Sequence, residues 1–143
     1  MRALLDVNVW VALFDDAHQF SPQANAFIAT PGVRVATCPL TENGVVRVLS
    51  LSSYGRRGGL PIQHARQRLQ EACQALDHEF WPDSLSLRDD RRFDFARVQG
   101  HNQITDLYLL ALAVAHGGRM VSFDQSITLA SVRDATAEHL LVL

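Results

Sequence analysis

The chain has 143 residues, of which 48% are hydrophobic and 20% charged, and its formal net charge is −2. This length is typical of one domain with a core of its own, and the composition excludes a disordered or fibrous protein. The small net charge argues against a protein that coats nucleic acid without specificity. We therefore expect one globular domain over residues 1–143.

The sequence predicts neither export nor membrane insertion. The N-terminus reaches the charge of Asp6 too soon for a secretory signal. The longest apolar stretch, 107–115, is shorter than the ~18 residues that a membrane span needs. Cys38 and Cys73 lack the spacing of a zinc site or a redox pair, so we interpret them as buried thiols. We expect a cytoplasmic protein.

The first third of the chain alternates between strand and helix. A buried strand is predicted over 2–7, and it runs directly into a short helix that ends near residue 13. Ser21 and Pro22 are a typical N-cap and first helical residue, so a helix is predicted over 22–30. A β-branched segment then predicts a strand over 33–38.

The middle of the chain is mainly helical. Periodic apolar residues predict helices over 41–51 and 61–76, and the glycine-rich segment 52–59 between them predicts an exposed, mobile loop. The pair of aromatic residues at 80–81 suggests a short third strand. Residues 88–98 are charged but compatible with a helix.

The last third contains the strongest helical signal. Residues 104–116 are apolar throughout and are followed by two glycines, which predicts a central helix with a defined end. Strands are predicted over 119–123 and 139–143. The alternation predicts an α/β fold with a mainly parallel sheet and helices on both faces. In such sheets the functional site lies beyond the carboxyl ends of the strands.

Four acidic residues occupy positions where such a site would form. They stand at the end of a predicted strand or in the first turn of a predicted helix, next to apolar residues: Asp6, Glu42, Asp106 and Asp124. Carboxylates at the edge of a core repel one another and resist the loss of water, and a divalent cation compensates both effects. The set predicts a Mg²⁺ site, with Mn²⁺ as the alternative, and metal-assisted phosphodiester hydrolysis.

Each acid also has a purely structural interpretation. Glu42 and Asp106 fit the first turn of a helix, where a negative charge meets the helix dipole favourably. Asp124 fits a cap of the following turn. Asp6 is the hardest to interpret in this way, because the end of a buried strand favours an apolar residue or glycine. The four together favour a site.

Three polar neighbours are predicted to support the acids. Asn8 lies two residues after Asp6, Thr105 directly precedes Asp106, and Ser122 lies two residues before Asp124. Such side chains orient carboxylates or water around a metal. A role as a local cap or turn residue is the alternative for each.

The segments that carry these acids resemble the four acidic motifs of the PIN-domain family. They are LLDVNVWVAL at 4–13, LTEN at 40–43, ITDL at 104–107 and VSFD at 121–124. Each motif is weak alone, but four in the family's order and at similar spacing are fairly specific, and the likeness covers essentially the whole chain. The compact form, with a segment around His18 after the first helix, is most similar to VapC toxins.

This resemblance implies a PIN-like three-layer α/β/α sandwich and an endoribonuclease that uses Mg²⁺ or Mn²⁺. The catalytic and metal-binding acids implied are Asp6, Glu42, Asp106 and Asp124, with Asn8 and Thr105 as supporting positions. The implied partners are an RNA substrate, a cognate antitoxin protein and a second copy of the chain in a homodimer.

The basic residues suggest where RNA would bind. All 13 lysine or arginine positions are arginine, whose planar fork suits phosphate. The predicted RNA contacts are Arg56, Arg57, Arg91, Arg92, Arg97 and His101. A lineage bias toward arginine, a solvated face and an exposed loop histidine without a role are the alternatives.

Two other functions fit part of the pattern. Phosphatases and phospho-receiver domains also place acids at strand ends, but they usually require a lysine, which this chain lacks, and Asn8 replaces the second aspartate of the Asp-x-Asp pattern. A PIN-like module that binds RNA or protein without cutting is the stronger alternative. The presence of all four acids favours the enzyme.

Overall fold

The computed structural model describes residues 1–143 and contains five strands and five α-helices. In chain order they are β1 (Ala3–Leu5), α1 (Val7–Phe14), α2 (Ser21–Ile28), β2 (Val35–Thr37), α3 (Pro39–Ser50), α4 (Ile62–Ala75), β3 (His78–Phe80), α5 (Ile104–Ala115), β4 (Arg119–Ser122) and β5 (Leu140–Val142). Apart from the segment 88–98, the predicted helices and strands are confirmed, with only their ends shifted.

The interpretation of residues 88–98 as a helix, which their composition allowed, is wrong. The Asp89 carboxylate accepts hydrogen bonds from the backbone N–H of Arg91 at 3.1 Å and from its guanidinium at 3.0 Å. Such local bonds compete with those of a helix. Phe93 is 1% exposed and pairs with Val132 in an isolated antiparallel bridge. Burial of Phe93 therefore fixes this segment against the domain as turns followed by a short 3-10 helix, Phe95–Arg97.

The five strands form one parallel sheet in the order β3-β2-β1-β4-β5. From β1 the chain builds outward to β2 and β3, and it then returns to place β4 on the opposite side of β1. The direction of winding thus reverses between β1 and β4. In open α/β sheets this reversal opens a crevice at the carboxyl ends of the two strands, which is the usual position of a functional site.

Helices cover both faces of the sheet. Ala3 and Leu5 of β1 point to the face that α1 to α4 cover, while Leu4 points to the face that α5 covers. The alternation follows from the two-residue period of a strand. The predicted three-layer α/β/α sandwich is therefore confirmed.

The central helix α5 is buried on nearly all sides. Every residue from Leu107 to Ala113 is buried, because the sheet lies on one side and Trp81, Phe93 and Val132 pack in the same cluster. This explains why its sequence is apolar all round. None of the five helices is both long and apolar enough to cross a membrane.

Helix α3 packs very closely against the start of α1. A Cβ atom placed on Gly44 would lie 2.5 Å from Cγ2 of Val7. Val7 is the first residue of α1 and directly follows Asp6. The absence of a side chain at Gly44 therefore lets the helix that carries Glu42 approach the carboxyl end of β1.

We expect Gly44→Ala to lower the free energy of unfolding by about 1 kcal/mol, measured by urea denaturation. Alanine is better than glycine in a helix by about 1 kcal/mol, but overpacking costs about 1–3 kcal/mol and the β-branched Val7 cannot easily rotate away. In Val7→Ala/Gly44→Ala the contact is relieved, so the double variant should lose less than the sum of the single losses. Additive losses would contradict this close contact.

Candidate active site at the carboxyl ends of β1 and β4

Asp6 directly follows β1 and caps the N-terminus of α1. It is 7% exposed; its Oδ1 accepts a hydrogen bond from the Val7 backbone N–H at 2.7 Å, and its Oδ2 accepts one from the Ser122 hydroxyl at 2.8 Å. Burial raises the pKa of Asp6 above its usual 3.8, although the two hydrogen bonds oppose this, and the charge of Asp124 raises it further. The carboxylate is held firmly where its charge is unfavourable.

Ser122 links Asp6 to Asp124. It is fully buried at the end of β4, and besides donating to Asp6 its hydroxyl accepts the backbone N–H of Asp124 at 3.1 Å. Asp124 also caps the next turn, because its Oδ1 accepts the Ser126 backbone N–H at 2.7 Å. The hydrogen bond to Ser126 lowers the pKa of Asp124. Asp124 is therefore both a turn cap and a charge that acts on Asp6.

Asp106 joins this pair from α5, on the other face of the sheet. It is half-buried in the first turn of that helix. Burial, followed by the charges of Asp6 and Asp124, raises its pKa from 3.8 to about 6. None of the ion pairs in the molecule includes any of the three aspartates. Their mutual repulsion is thus not relieved by an arginine.

Glu42 makes its contacts elsewhere. Its Oε1 accepts a hydrogen bond from the buried Thr37 hydroxyl at 2.7 Å, and the same hydroxyl lies 2.7 Å from Nε2 of His78. Burial lowers the pKa of His78, against the opposing charge of Glu42, and burial together with that charge raises the pKa of Cys73 to about 11. Glu42 therefore faces side chains of β2, β3 and α4, whereas the charges that act on Asp106 come from the other two aspartates.

The remaining predicted neighbours of the acids are at the surface. Asn8 and Thr105 are exposed, and neither side chain forms a hydrogen bond with an aspartate. His101 is exposed in the short 3-10 turn that precedes α5. Their supporting and RNA-binding roles stay predictions.

The predicted RNA-binding arginines fall into two groups. Arg91 and Arg92 pair with Asp89, and Arg97 pairs with Asp94. Arg56 and Arg57 form no ion pair; they line a cavity of about 680 Å³ at the C-terminal end of α1, together with Phe14, Tyr54 and Arg68. The charges of Arg56 and Arg57 are therefore not neutralised by an ion pair. None of the five arginines forms an ion pair with Asp6, Asp106 or Asp124.

Sequence reasoning missed Thr37 and His78. Thr37 stood inside a predicted strand, and His78 stood before a strand predicted over 80–81. A threonine at a strand end, five residues before a glutamate, was the only visible signal. The contribution of His78 depends on the pairing of β2 with β3, which the sequence does not reveal.

The three aspartates fit a hard divalent cation. No three His, Cys, Asp or Glu side chains lie close enough together to form a ready-made metal cage. Mg²⁺ does not require one, because it is usually held by one or two carboxylates and keeps several waters. Three carboxylates without an ion-pair partner, whose neighbouring charges help to raise the pKa of Asp6 and Asp106, form a donor set of this kind.

Comparison with known proteins gives the family. The sequence model of the PIN domain family matches residues 3–133 of this chain. The chain belongs to the PIN domain family. This confirms the resemblance inferred from the four acidic motifs, and the PIN domain covers nearly the whole chain.

The curated PIN-domain relatives include several VapC proteins of Mycobacterium tuberculosis. Ribonuclease VapC44 is 46% identical over 144 residues, covering 100% of both chains. Ribonuclease VapC38 is 40% identical over 143 residues, covering 99% of both, and Ribonuclease VapC29 is 35% identical over 127 residues, covering 89% of both. The predicted resemblance to VapC-like toxins is confirmed.

A solved structure supports the PIN-like fold. The crystal structure of VapBC2 from Rickettsia felis bound to a DNA fragment from its promoter aligns with a TM-score of 0.56 and 14% identity. The alignment covers 88% of this chain and 90% of the other. At this identity the match establishes the α/β/α architecture alone.

We expect Asp106→Asn to stabilise the metal-free PIN domain above pH 6. Because folding raises the pKa of Asp106 from 3.8 to about 6, the folded state binds more protons in that window, and stability falls as pH rises through it. The neutral amide removes this loss, which we put at about 1 kcal/mol or about 3 °C in Tm after allowing for screening by solvent.

Thermal unfolding in EDTA at pH 4 and pH 8 measures this difference. The gain should appear at pH 8 and nearly vanish at pH 4. The exposed Asp16, which forms no ion pair, provides the matched control Asp16→Asn. Equal Tm changes in both variants would show that folding does not raise the pKa of Asp106.

Proposed function

We propose that this PIN-domain protein is a metal-dependent endoribonuclease and the toxin of a VapBC-like toxin-antitoxin pair, acting on RNA in the cytoplasm. The observation that carries the proposal is the unpaired cluster of Asp6, Asp106 and Asp124 where the winding of the sheet reverses. Full-length identity of 46% to a protein named Ribonuclease VapC44 supports the same activity.

The chemistry proposed is hydrolysis of an RNA phosphodiester bond. Water attacks phosphorus in line, and the bond to the leaving oxygen breaks. Mg²⁺ or Mn²⁺, when bound, neutralises charge on the phosphate and makes water a stronger nucleophile. Asp6 and Asp106 are the proposed principal ligands, with Asp124 and Glu42 completing the acidic set.

The chain's own contacts suit these roles. Two hydrogen bonds, from Val7 and Ser122, keep Asp6 in one orientation, so little reorganisation is needed when a ligand binds. Asp106 is half-buried, which leaves part of its carboxylate accessible to solvent and substrate. Without a competing arginine, the negative charge of the cluster remains available to a cation.

The proposed protein partners are a cognate antitoxin and a second copy of the chain. Support comes from the VapC relatives and from the structural neighbour, whose name describes a VapBC assembly bound to promoter DNA.

Cleavage of total cellular RNA by the purified protein tests the activity. We expect discrete fragments with Mg²⁺ or Mn²⁺ and none with EDTA. Asp6→Asn and Asp106→Asn should each lower the rate by more than about 100-fold, because even residues that only orient metal ligands account for about 10–100-fold. Asp16→Asn should cleave like the wild type.

Circular dichroism of each variant confirms that it is folded. Cleavage that survives EDTA would contradict the metal-dependent mechanism. If RNA is bound but never cut under any metal, the protein is the binding module that the sequence left as the alternative.

Arg56 and Arg57, which form no ion pair, are expected to contact RNA phosphates. Each phosphate contact to a single strand contributes about 0.7 to the slope of log affinity against log salt concentration. Arg56→Gln/Arg57→Gln should therefore lower the slope by about 1.4, measured by fluorescence anisotropy with labelled single-stranded RNA. Arg91→Gln, whose native guanidinium is bound to Asp89, is the comparison and should change the slope less. Equal slopes in all three proteins would show that Arg56 and Arg57 do not contact RNA phosphates.

A further inference from the structure

Glu42 is anchored through one of its two carboxylate oxygens. Oε1 accepts a hydrogen bond from Thr37 Oγ1 at 2.7 Å, and no side chain or backbone group of the protein donates to Oε2. Glu42 is half-buried. One oxygen is thus fixed by the fold, and the other keeps its full capacity to bind a ligand.

The direction of the hydrogen bonds follows from counting protons. A carboxylate only accepts, and a threonine hydroxyl has one proton to donate. Thr37 must give that proton to Glu42, so the contact of 2.7 Å between Thr37 Oγ1 and His78 Nε2 requires His78 to be the donor. The chain therefore runs from His78 Nε2–H to Thr37 to Glu42, and the His78 ring carries a proton on Nε2.

The register of the sheet creates this chain. Val35 of β2 pairs with His78 of β3, and Thr37 lies two residues further along the same strand. Because side chains of a strand alternate between faces, Thr37 and His78 point to the same face. Thr37 is fully buried, so water cannot replace either partner.

The close packing of α3 brings the helix that carries Glu42 to the carboxyl end of β1. Gly44, two residues after Glu42, has no side chain, and this lets α3 lie against Val7, the residue that follows Asp6. The helix backbone and the Thr37 hydroxyl together restrict where the Glu42 carboxylate can lie.

We propose that Thr37 and His78 are positioning residues for Glu42 in the nuclease reaction: they hold its carboxylate through Oε1 and leave Oε2 for the metal or its water. This inference rests on the proposed metal-dependent ribonuclease. Neither residue touches the substrate; each acts through Glu42. The opposing explanation is a purely structural link between β2, β3 and α3.

A double-mutant cycle separates these explanations. Thr37→Val removes the hydroxyl, and we expect it to weaken Mn²⁺ binding about tenfold or more, measured by calorimetry on the protein without RNA, and to slow RNA cleavage by a similar factor. Thr37→Ser keeps the hydroxyl and should restore both values to near wild type. In a Glu42→Gln background, Thr37→Val should cause little further loss, because the residue through which it acts is already changed.

His78 is tested by the pair His78→Gln and His78→Leu. Glutamine keeps an N–H donor for Thr37, so His78→Gln should retain most of the Mn²⁺ affinity. Leucine has no donor, so His78→Leu should bind Mn²⁺ more weakly. The ¹⁵N chemical shifts of His78 in the wild type should show a neutral ring protonated on Nε2. Arg2→Gln is the matched structural control, because it removes ion pairs to Asp77 and Glu79 near the same strand without touching Glu42.

All proteins are compared at a temperature where each is fully folded. Rescue by serine and glutamine, with non-additivity in the Glu42→Gln background, supports the positioning role. If Thr37→Val behaves like Arg2→Gln, losing only thermal stability, or if its effect persists undiminished in the Glu42→Gln background, the inference is overturned while the nuclease stands. If the wild type neither binds Mn²⁺ nor cuts RNA, the proposed function fails first and the positioning role with it.

Discussion

The hydrogen bond from Ser122 Oγ to Asp6 Oδ2 joins the carboxyl ends of β1 and β4 across 116 residues of sequence. Both residues are buried, so the bond forms in a region of low dielectric, where an unpaired polar group is costly. It therefore favours one register between the two strands, and it fixes Asp6 at the point where the winding of the sheet reverses. After burial, the charge of Asp6 contributes to the raised pKa of Asp106, whereas the pKa of Asp124 is lowered by its hydrogen bond to Ser126.

The charges of Asp6 and Asp106 are unfavourable for folding in the absence of a cation, because burial and neighbouring carboxylates raise the pKa of both. The three charges of the acidic cluster lie near one another without an arginine partner, although the chain has 13 arginines and uses several of them to neutralise Asp77, Asp89 and Asp94 elsewhere. A local arrangement that opposes stability and is tolerated by the rest of the fold is typical of a functional site. The two extensive apolar clusters on either side of the sheet supply the stability that permits it.

The position of Glu42 in the sequence does not predict the contacts of its side chain. By sequence it belongs with the three aspartates, and the close contact between Gly44 and Val7 brings its helix to the same edge. Its carboxylate is nevertheless tied to Thr37, and through Thr37 to His78. The acidic set thus consists of three aspartates that act on one another and a glutamate with its own anchor.

The sequence by itself determined the α/β class and the elements to within a few residues, because strand and helix periodicity is a local signal. It also predicted one acidic set of Asp6, Glu42, Asp106 and Asp124 from their positions at strand ends and helix starts. It did not determine that residues 88–98 form turns, since burial of Phe93 against Val132 is a long-range contact. Only the tertiary structure decided that His78 contacts Thr37 and that Ser122 donates a hydrogen bond to Asp6. It also decided which of the predicted RNA-binding arginines form ion pairs: Arg91, Arg92 and Arg97 do, and Arg56 and Arg57 do not. Those relationships depend on strand register and on the packing of helices onto the sheet, in which residues far apart in sequence meet.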